Sequence, residues 1–214
     1  TGLHDDNHYT TAKEMSQILE WALENPDFQT IFETRQYTTS FNTHTWVSTL
    51  ARAQSSTQLD TTILDGAKSG FTDEAQLTLA STMTIDNHQL ILVTAYAQGQ
   101  RSFNNVKDAL HIYENMKENY HNLTVYHKGD DIYQFYILKT TYMPYHYRAQ
   151  EDISLLVEQH ISMSDLEINV QGDQLRIAPL QMKSEIGHID ISYQNQQLMS
   201  YSLNFYENIE VNQT

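Results

Sequence analysis

The sequence contains no cysteine, which excludes disulfide bonds, thiol catalysis and thiolate metal sites. Basic residues are few: 12 lysines and arginines stand against 27 aspartates and glutamates, a formal net charge of −15 at pH 7. A surface this acidic repels phosphate backbones, so we expect no nucleic-acid partner. The cations are scattered, so we also expect no polybasic patch for anionic lipid.

Long apolar segments are missing as well. No run of about 18 apolar residues occurs, so we expect no segment to cross a bilayer. The first residues have neither the basic start nor the apolar run of a secretory signal, and position 1 is threonine rather than methionine. We therefore expect the sequence to be a piece of a longer protein.

What remains is the composition of a globular protein. Of the 214 residues, 40% are apolar and 18% are charged, enough for one large domain or two modest ones with cores of their own. The pattern changes from mixed helix and strand to strands alone near residue 121. We therefore predict two domains, 1–121 and 122–214.

The first domain begins and ends with predicted helices. Thr11 and Glu14 form a capping-box pattern ahead of apolar residues at helical spacing, which predicts a helix over 11–24. Pro26 is suited to begin a second, short helix. Helical spacing returns over 102–119.

Strands are predicted between these helices. Residues 34–62 are rich in Thr, Ser and Gln and predict short strands and loop. Residues 77–82 and 89–97 predict two strands joined by a tight turn at 86–88. The second is apolar almost throughout, which predicts a central strand covered on both faces.

The second domain shows only strand signals. The predicted strands are residues 124–127, 132–139, 153–157, 166–170, 174–177, 188–193 and 198–206. Short strands with turn signals between them are typical of a small all-β module.

The most informative stretch is residues 64–73, LDGAKSGFTD, which contains Lys68-Ser69-Gly70. On a strand edge, an ammonium and a hydroxyl can grip a substrate carboxylate, and a glycine lets an acyl group lie against the backbone. Lys-[Ser/Thr]-Gly is also the third sequence element of penicillin-binding proteins and class A β-lactamases.

Two longer segments resemble one family. Residues 1–12, TGLHDDNHYTTA, are similar to a segment of the serine-type D-alanyl-D-alanine carboxypeptidases, which are low-molecular-mass penicillin-binding proteins. Residues 65–73 are similar to their Asp-Gly-x-Lys-Thr-Gly-x-Thr-Asp segment, and residues 177–189 look like part of their β-rich C-terminal domain. The chain therefore resembles the C-terminal portion of such an enzyme.

This resemblance implies an α+β fold. Residues 1–121 would be the C-terminal part of a penicillin-binding-protein/β-lactamase-like domain, with an antiparallel sheet and helices. Residues 122–214 would be the small all-β C-terminal domain.

The resemblance also assigns the site. Lys68 would have a catalytic role by polarising the site, and the backbone N–H of Phe71 would supply half of an oxyanion hole. The residues assigned to substrate binding are Lys68, Ser69, Gly70, Thr72 and Arg101. Arg101 stands one residue before the position where the family often carries a carboxylate-binding arginine. No metal or cofactor is implied.

The nucleophile of the family is missing from this sequence, because no serine is followed by lysine at the third position after it. The Ser-x-Asn matches at Ser40 and Ser202 lie in the wrong order relative to residues 1–3. Acyl transfer needs an activated serine, so we expect this chain alone to be inactive. The intact protein would remove the terminal D-Ala from peptidoglycan stem peptides through an acyl-enzyme, and β-lactams would acylate the same serine.

Location and partners follow from the same resemblance. We expect an extracytoplasmic protein, at the cell wall or the outer face of the membrane of a Gram-positive bacterium. Without the nucleophile half, the apolar faces of residues 77–82 and 89–97 would be exposed. We therefore expect a partner chain or a dimer to cover the incomplete sheet.

Two other functions stay open. One is a non-catalytic, penicillin-binding-protein-like module that binds the wall or another protein. The other is a class A β-lactamase, which shares the triplet but does not usually carry a β domain.

Two further clusters have ordinary explanations beside functional ones. His4 and His8 flank two aspartates and suggest a metal site, but a turn leading into the first helix is the interpretation we favour. Five tyrosines between residues 133 and 147 suggest stacking on sugar rings or, as we favour, packing of the β domain. They are Tyr133, Tyr136, Tyr142, Tyr145 and Tyr147.

Overall fold

The fold is known from a computed structural model, which describes residues 4–41, 43–100, 102–140 and 144–211. The chain divides into two units, Thr1–Asn119 and Tyr120–Thr214. Over the described residues, no helix has both the length and the apolar character needed to span a membrane.

The described part of the first unit contains helices and antiparallel strands. The helices are α1 (Ala12–Leu23), α2 (Pro26–Glu33), α3 (Thr49–Thr57) and α4 (Asn104–Asn119). The strands are β1 (Gln36–Thr38), β2 (Thr45–Val47), β3 (Gly66–Thr72), β4 (Gln76–Ile85) and β5 (His88–Ala97).

The start of α1 confirms the predicted capping box. The Glu14 N–H donates to the Thr11 hydroxyl at 3.2 Å, and the Thr11 N–H donates to the Glu14 carboxylate at 2.9 Å. Hydrogen bonds donated to the Glu14 carboxylate by the Thr11 N–H and the Thr11 hydroxyl lower the pKa of that carboxyl. Pro26 lies in the first turn of α2, as predicted, and the Asn25 side chain caps that helix.

Helix α3 corrects the prediction for residues 34–62. The short strands β1 and β2 form there as expected, but Thr49–Thr57 is helical rather than strand or loop. The Ser48 hydroxyl caps α3 by accepting the Ala51 N–H at 3.2 Å, and Leu50 and Ala53 are buried. Only these two residues of the helix are buried, so its sequence shows little apolar periodicity. Contacts with the rest of the fold therefore stabilise the helix.

Strands β3, β4 and β5 form one antiparallel sheet with β4 in the middle. Asp86 and Asn87 have φ of 46° and 69°, the left-handed conformation that a two-residue hairpin turn requires. The prediction that β5 is a central strand is wrong, because β5 pairs only with β4 in the described part of the chain. Its apolar residues are explained by α1 and α4, which both pack against it.

The core of the first unit lies between the sheet, α3 and α4. Its buried residues are Leu50, Ala53, Leu64, Leu79, Met83, Val106, Ala109, Leu110 and Tyr113. The helical spacing predicted over 102–119 is confirmed by α4, which contributes four of these residues. Every residue from 76 to 83 is buried or half-buried, so the expectation that the apolar face of residues 77–82 is exposed is wrong. In β5 only Gln89, Ala95 and Tyr96 are exposed, so most of its apolar residues are covered as well.

The described residues of the second unit form strands and one 3₁₀ turn, Met163–Asp165. The strands are β6 (Tyr120–Tyr126), β7 (Asp131–Leu138), β8 (Pro144–Arg148), β9 (Ile153–Glu158), β10 (Glu167–Gly172), β11 (Leu175–Ile177), β12 (Glu185–Tyr193) and β13 (Gln196–Asn204). All predicted strands are confirmed, and β8 was missed. The sheets are β6-β9, β11-β7-β8 and β10-β12-β13.

The tyrosine cluster of this unit serves packing. The rings of Tyr133 and Tyr145 lie 5.6 and 5.2 Å from a buried phenylalanine ring of β7, and Tyr147 is buried. Tyr136 is exposed, and Tyr142 lies outside the described residues.

Candidate active site

The Lys-Ser-Gly triplet lies on β3 at an edge of the three-stranded sheet. Among the described residues, β3 pairs with β4 alone, and Ser69 stands opposite Leu79. Successive side chains of a strand point to opposite faces, so Lys68 and Gly70 share one face and Ser69 and Phe71 the other. The triplet therefore presents an ammonium and a hydroxyl on either side of an open strand edge.

The Lys68 side chain is exposed, and its ammonium donates to the backbone carbonyl of Ser69. A lysine ammonium has three N–H donors. Two donors thus remain for a ligand, and they are held near the Ser69 backbone because the first one is bound there.

The Ser69 hydroxyl belongs to a short hydrogen-bond chain that reaches α3. Its Oγ lies 2.8 Å from the Oγ1 of Thr49, the first residue of α3. The Arg52 guanidinium donates from Nη2 to the same Thr49 Oγ1 at 3.3 Å. Sequence reasoning missed Thr49 and Arg52, because tertiary folding brings them to Ser69.

Two glycines of β3 allow close approach. A Cβ on Gly66 would lie 2.8 Å from the backbone carbonyl oxygen of Phe32 in α2, and a Cβ on Gly70 would lie 2.8 Å from the Thr78 hydroxyl in β4. Gly66 therefore lets α2 pack on the strand. A Cβ on Gly70 would displace the Thr78 side chain, whatever further role Gly70 has in a cleft.

Arg35 holds the segment that leads into β3. Its Nη2 donates to the carbonyl oxygens of Thr61, at 3.0 Å, and of Leu64, and its Nη1 donates to the Thr61 hydroxyl at 3.4 Å. Burial lowers the pKa of Arg35, and the charge of Asp65 opposes that shift. No sequence pattern marked this residue, which fixes the approach of the chain to the triplet.

A cavity of about 880 Å³ adjoins the triplet. Lys68, Ser69, Thr49 and Arg52 line its polar side. Its apolar wall consists of Phe28, Ile31, Phe32, Tyr37, Trp46 and Val47. The sequence predicted the triplet but not this cavity, whose walls come from α2, α3 and the β1–β2 hairpin.

The remaining candidates are more dispersed. The Thr72 hydroxyl accepts the Ala75 N–H at 3.0 Å and so closes the turn after β3. Arg101 lies outside the described residues. His4 is paired with Asp6 and Glu74, each at 3.2 Å, and the part of the chain that the structure describes holds no cluster of three metal-ligating side chains.

The open strand edge with its Lys-Ser-Gly triplet and the packed helices agree with the class predicted from the motifs. Residues 1–99 match the family model of the D-alanyl-D-alanine carboxypeptidases. The resemblance to part of such an enzyme is therefore confirmed. No curated protein matches the sequence.

Solved structures show the same fold. Penicillin-binding protein 5 of Haemophilus influenzae is 19% identical with a TM-score of 0.69, over 97% of this chain and 59% of that one. Penicillin-binding protein 3 of Streptococcus pneumoniae, a peptidoglycan synthesis regulatory factor, is 16% identical with a TM-score of 0.66, over 89% and 54%. A D-alanyl-D-alanine carboxypeptidase of Francisella tularensis is 14% identical with a TM-score of 0.52, over 98% and 62%.

The similarity confirms the predicted fold class, an α+β fold of the penicillin-binding-protein type with antiparallel sheets. The chain spans about three fifths of the length of these structures.

Proposed function

We propose that this chain is the carboxylate-gripping portion of a serine-type D-alanyl-D-alanine carboxypeptidase. Such an enzyme removes the terminal D-Ala of peptidoglycan stem peptides. The observation that carries the proposal is the position of Lys68-Ser69-Gly70 on the open edge of β3, beside a cavity and within the segment that matches the family model.

The side chains of the triplet suit a peptide terminus. The remaining donors of Lys68 and the hydroxyl of Ser69 would bind the carboxylate through charge-assisted hydrogen bonds. Gly70 would leave room for the acyl group, and the Phe71 N–H would donate to the oxyanion that forms at the scissile carbonyl. Thr72 would support this end of β3 through its turn, and Arg101 would add a second cation.

The acyl-enzyme itself needs a serine activated by a base. No Ser-x-x-Lys occurs in these 214 residues, so in this proposal the attacking serine lies on another segment and the chain alone forms no acyl-enzyme. β-Lactams would acylate that serine in the intact protein. The substrate places the protein outside the cytoplasm, at the cell wall.

Several large apolar side chains of the first unit are exposed, which suggests that another chain covers this surface in the assembled protein. The large ones that do not line the cavity beside the triplet are Tyr9, Ile18, Trp21, Phe41, Tyr96 and Ile112. A partner chain or a second copy of this chain would bury them. Light scattering of the isolated chain should then show concentration-dependent association, and a monomer at every concentration would argue against a dimer.

The carboxylate grip is tested by titrating the ¹⁵N-labelled chain with a peptide ending in D-Ala-D-Ala, as the free carboxylate and as the carboxamide. We expect the carboxylate to shift the amide signals of Ser69 and Gly70 and to bind about tenfold more tightly or better, the value of a charge-assisted hydrogen bond. Lys68→Ala should abolish that preference. Lys128→Ala, which removes an exposed lysine of the second unit, should retain it.

Equal binding of the two peptides, or a preference that survives Lys68→Ala, would contradict the proposal.

A further inference from the structure

The Ser69 hydroxyl is not isolated at the edge of the sheet. It lies 2.8 Å from the Thr49 hydroxyl, which in turn accepts a hydrogen bond from Arg52 at 3.3 Å. All three residues line the cavity, as does Lys68. Any ligand that reaches Ser69 from this cavity therefore meets a hydrogen-bonded chain rather than a single hydroxyl.

Either hydroxyl of the Thr49–Ser69 pair can donate by geometry, and the neighbouring guanidinium favours one of the two directions. A guanidinium can only donate, so Thr49 Oγ1 is the acceptor of the Arg52 N–H. Accepting from Arg52 leaves Thr49 Oγ1 with its own proton and one lone pair, and the adjacent cation favours the orientation in which the Thr49 O–H points away from it and donates to Ser69 Oγ. The Ser69 O–H then points away from Thr49 and can donate a hydrogen bond to an incoming acceptor. A hydrogen-bond chain that begins on a cation also polarises each hydroxyl along it.

The helix α3 holds this arrangement in place. Thr49 is the first residue of the helix, directly after its Ser48 cap, and the next residue, Leu50, is 1% exposed. One turn further, Ala53 is completely buried. The Thr49 backbone is thus fixed by packing, and the position of its hydroxyl relative to Ser69 does not depend on an exposed loop.

We propose that Thr49 and Arg52 are positioning residues that orient the Ser69 hydroxyl as a donor and so make the site selective for a carboxylate terminus. This inference rests on the proposed function of the triplet. It adds a contribution from α3, upstream of β3, to a grip that the family resemblance assigned to β3 and Arg101 alone. An acceptor-only carboxylate fits a hydroxyl whose proton points outward.

The test uses the same peptide pair with variants of Thr49. Thr49→Val keeps the shape and removes the hydroxyl, and Thr49→Ser keeps the hydroxyl. We expect Thr49→Val to reduce the carboxylate-over-carboxamide preference about three- to tenfold, the range of one hydrogen bond, and Thr49→Ser to retain it. Arg52→Gln should reduce it in the same direction.

A double-mutant cycle shows whether Thr49 acts through Ser69. In a Ser69→Ala background, Thr49→Val should have no further effect on the preference. An unchanged preference in Thr49→Val, an equal loss in Thr49→Ser, or an undiminished effect in the Ser69→Ala background would overturn the inference. If the original chain shows no preference for the carboxylate over the carboxamide, the proposed function fails together with this inference. If Lys68→Ala abolishes the preference but Thr49→Val does not change it, only the role of Thr49 and Arg52 fails.

Discussion

Replacing Arg35 should loosen the segment that delivers the chain to β3. The guanidinium donates to two backbone carbonyls, of Thr61 and Leu64, and to the Thr61 hydroxyl, and Thr61 is completely buried. Hydrogen bonds to a charged group contribute about 1.5–3 kcal/mol each. Because the half-buried site admits some water after truncation, we expect Arg35→Ala to cost about 2–4 kcal/mol rather than the full sum.

The assay must report on the sheet of the first unit. Both tryptophans, Trp21 and Trp46, are largely exposed, so their fluorescence is a poor reporter of unfolding. Amide hydrogen exchange of β4 is more direct, and there Arg35→Ala should lower protection about 30-fold or more. Arg35→Lys keeps the charge but loses the forked set of N–H donors. Its β4 protection should therefore lie between that of the original chain and that of Arg35→Ala.

Arg148 provides a matched control, because it pairs with Asp131 in an exposed ion pair of the second unit. Such pairs contribute about 0–1 kcal/mol, so Arg148→Ala should leave β4 protection unchanged. Arg35→Ala with β4 protection within about threefold of the original chain would refute this reasoning, since about threefold corresponds to well under 1 kcal/mol.

Two further predictions concern stability. Gly66→Ala should cost about 1–3 kcal/mol in urea unfolding, because its Cβ meets a backbone oxygen of Phe32; Gly70→Ala should cost less, since the Thr78 hydroxyl can rotate away. Equal costs would contradict this. Burial raises the pKa of Tyr113 from 10.0 to about 12, so the unfolded chain loses this proton first and the free energy of unfolding falls as pH rises from 10 to 12. Tyr113→Phe should remove up to about 3 kcal/mol of that pH dependence, and an unchanged slope would contradict the assignment.

Local signals predicted much of the fold. Thr11, Glu14 and Pro26 mark helix starts through interactions within a few residues, and Asp86 with Asn87 marks the hairpin in the same way. Helix α3 was missed because its stabilising contacts are tertiary. Strand β8 begins at a proline, which weakens a strand signal, and an apolar run in β5 does not distinguish a central strand from an edge strand packed by two helices.

The residues of the candidate site also fall into two groups, those that a sequence motif reveals and those that only folding brings together. Lys68, Ser69 and Gly70 are contiguous, so a motif reveals them. Arg35 and Thr49 come from other parts of the sequence, and no motif connects Arg35 with the backbone carbonyls that it contacts or Thr49 with the Ser69 hydroxyl. Contacts of this kind are visible only once the chain is folded.

The central claim is most directly tested by intact-mass analysis after incubation with penicillin G. The 214-residue chain should carry no adduct, and the full translation product of its gene should carry one per molecule. An adduct on the 214-residue chain would contradict the account, because one of its own serines would then be an activated nucleophile. No adduct on either protein would contradict the carboxypeptidase assignment and favour a non-catalytic wall-binding module.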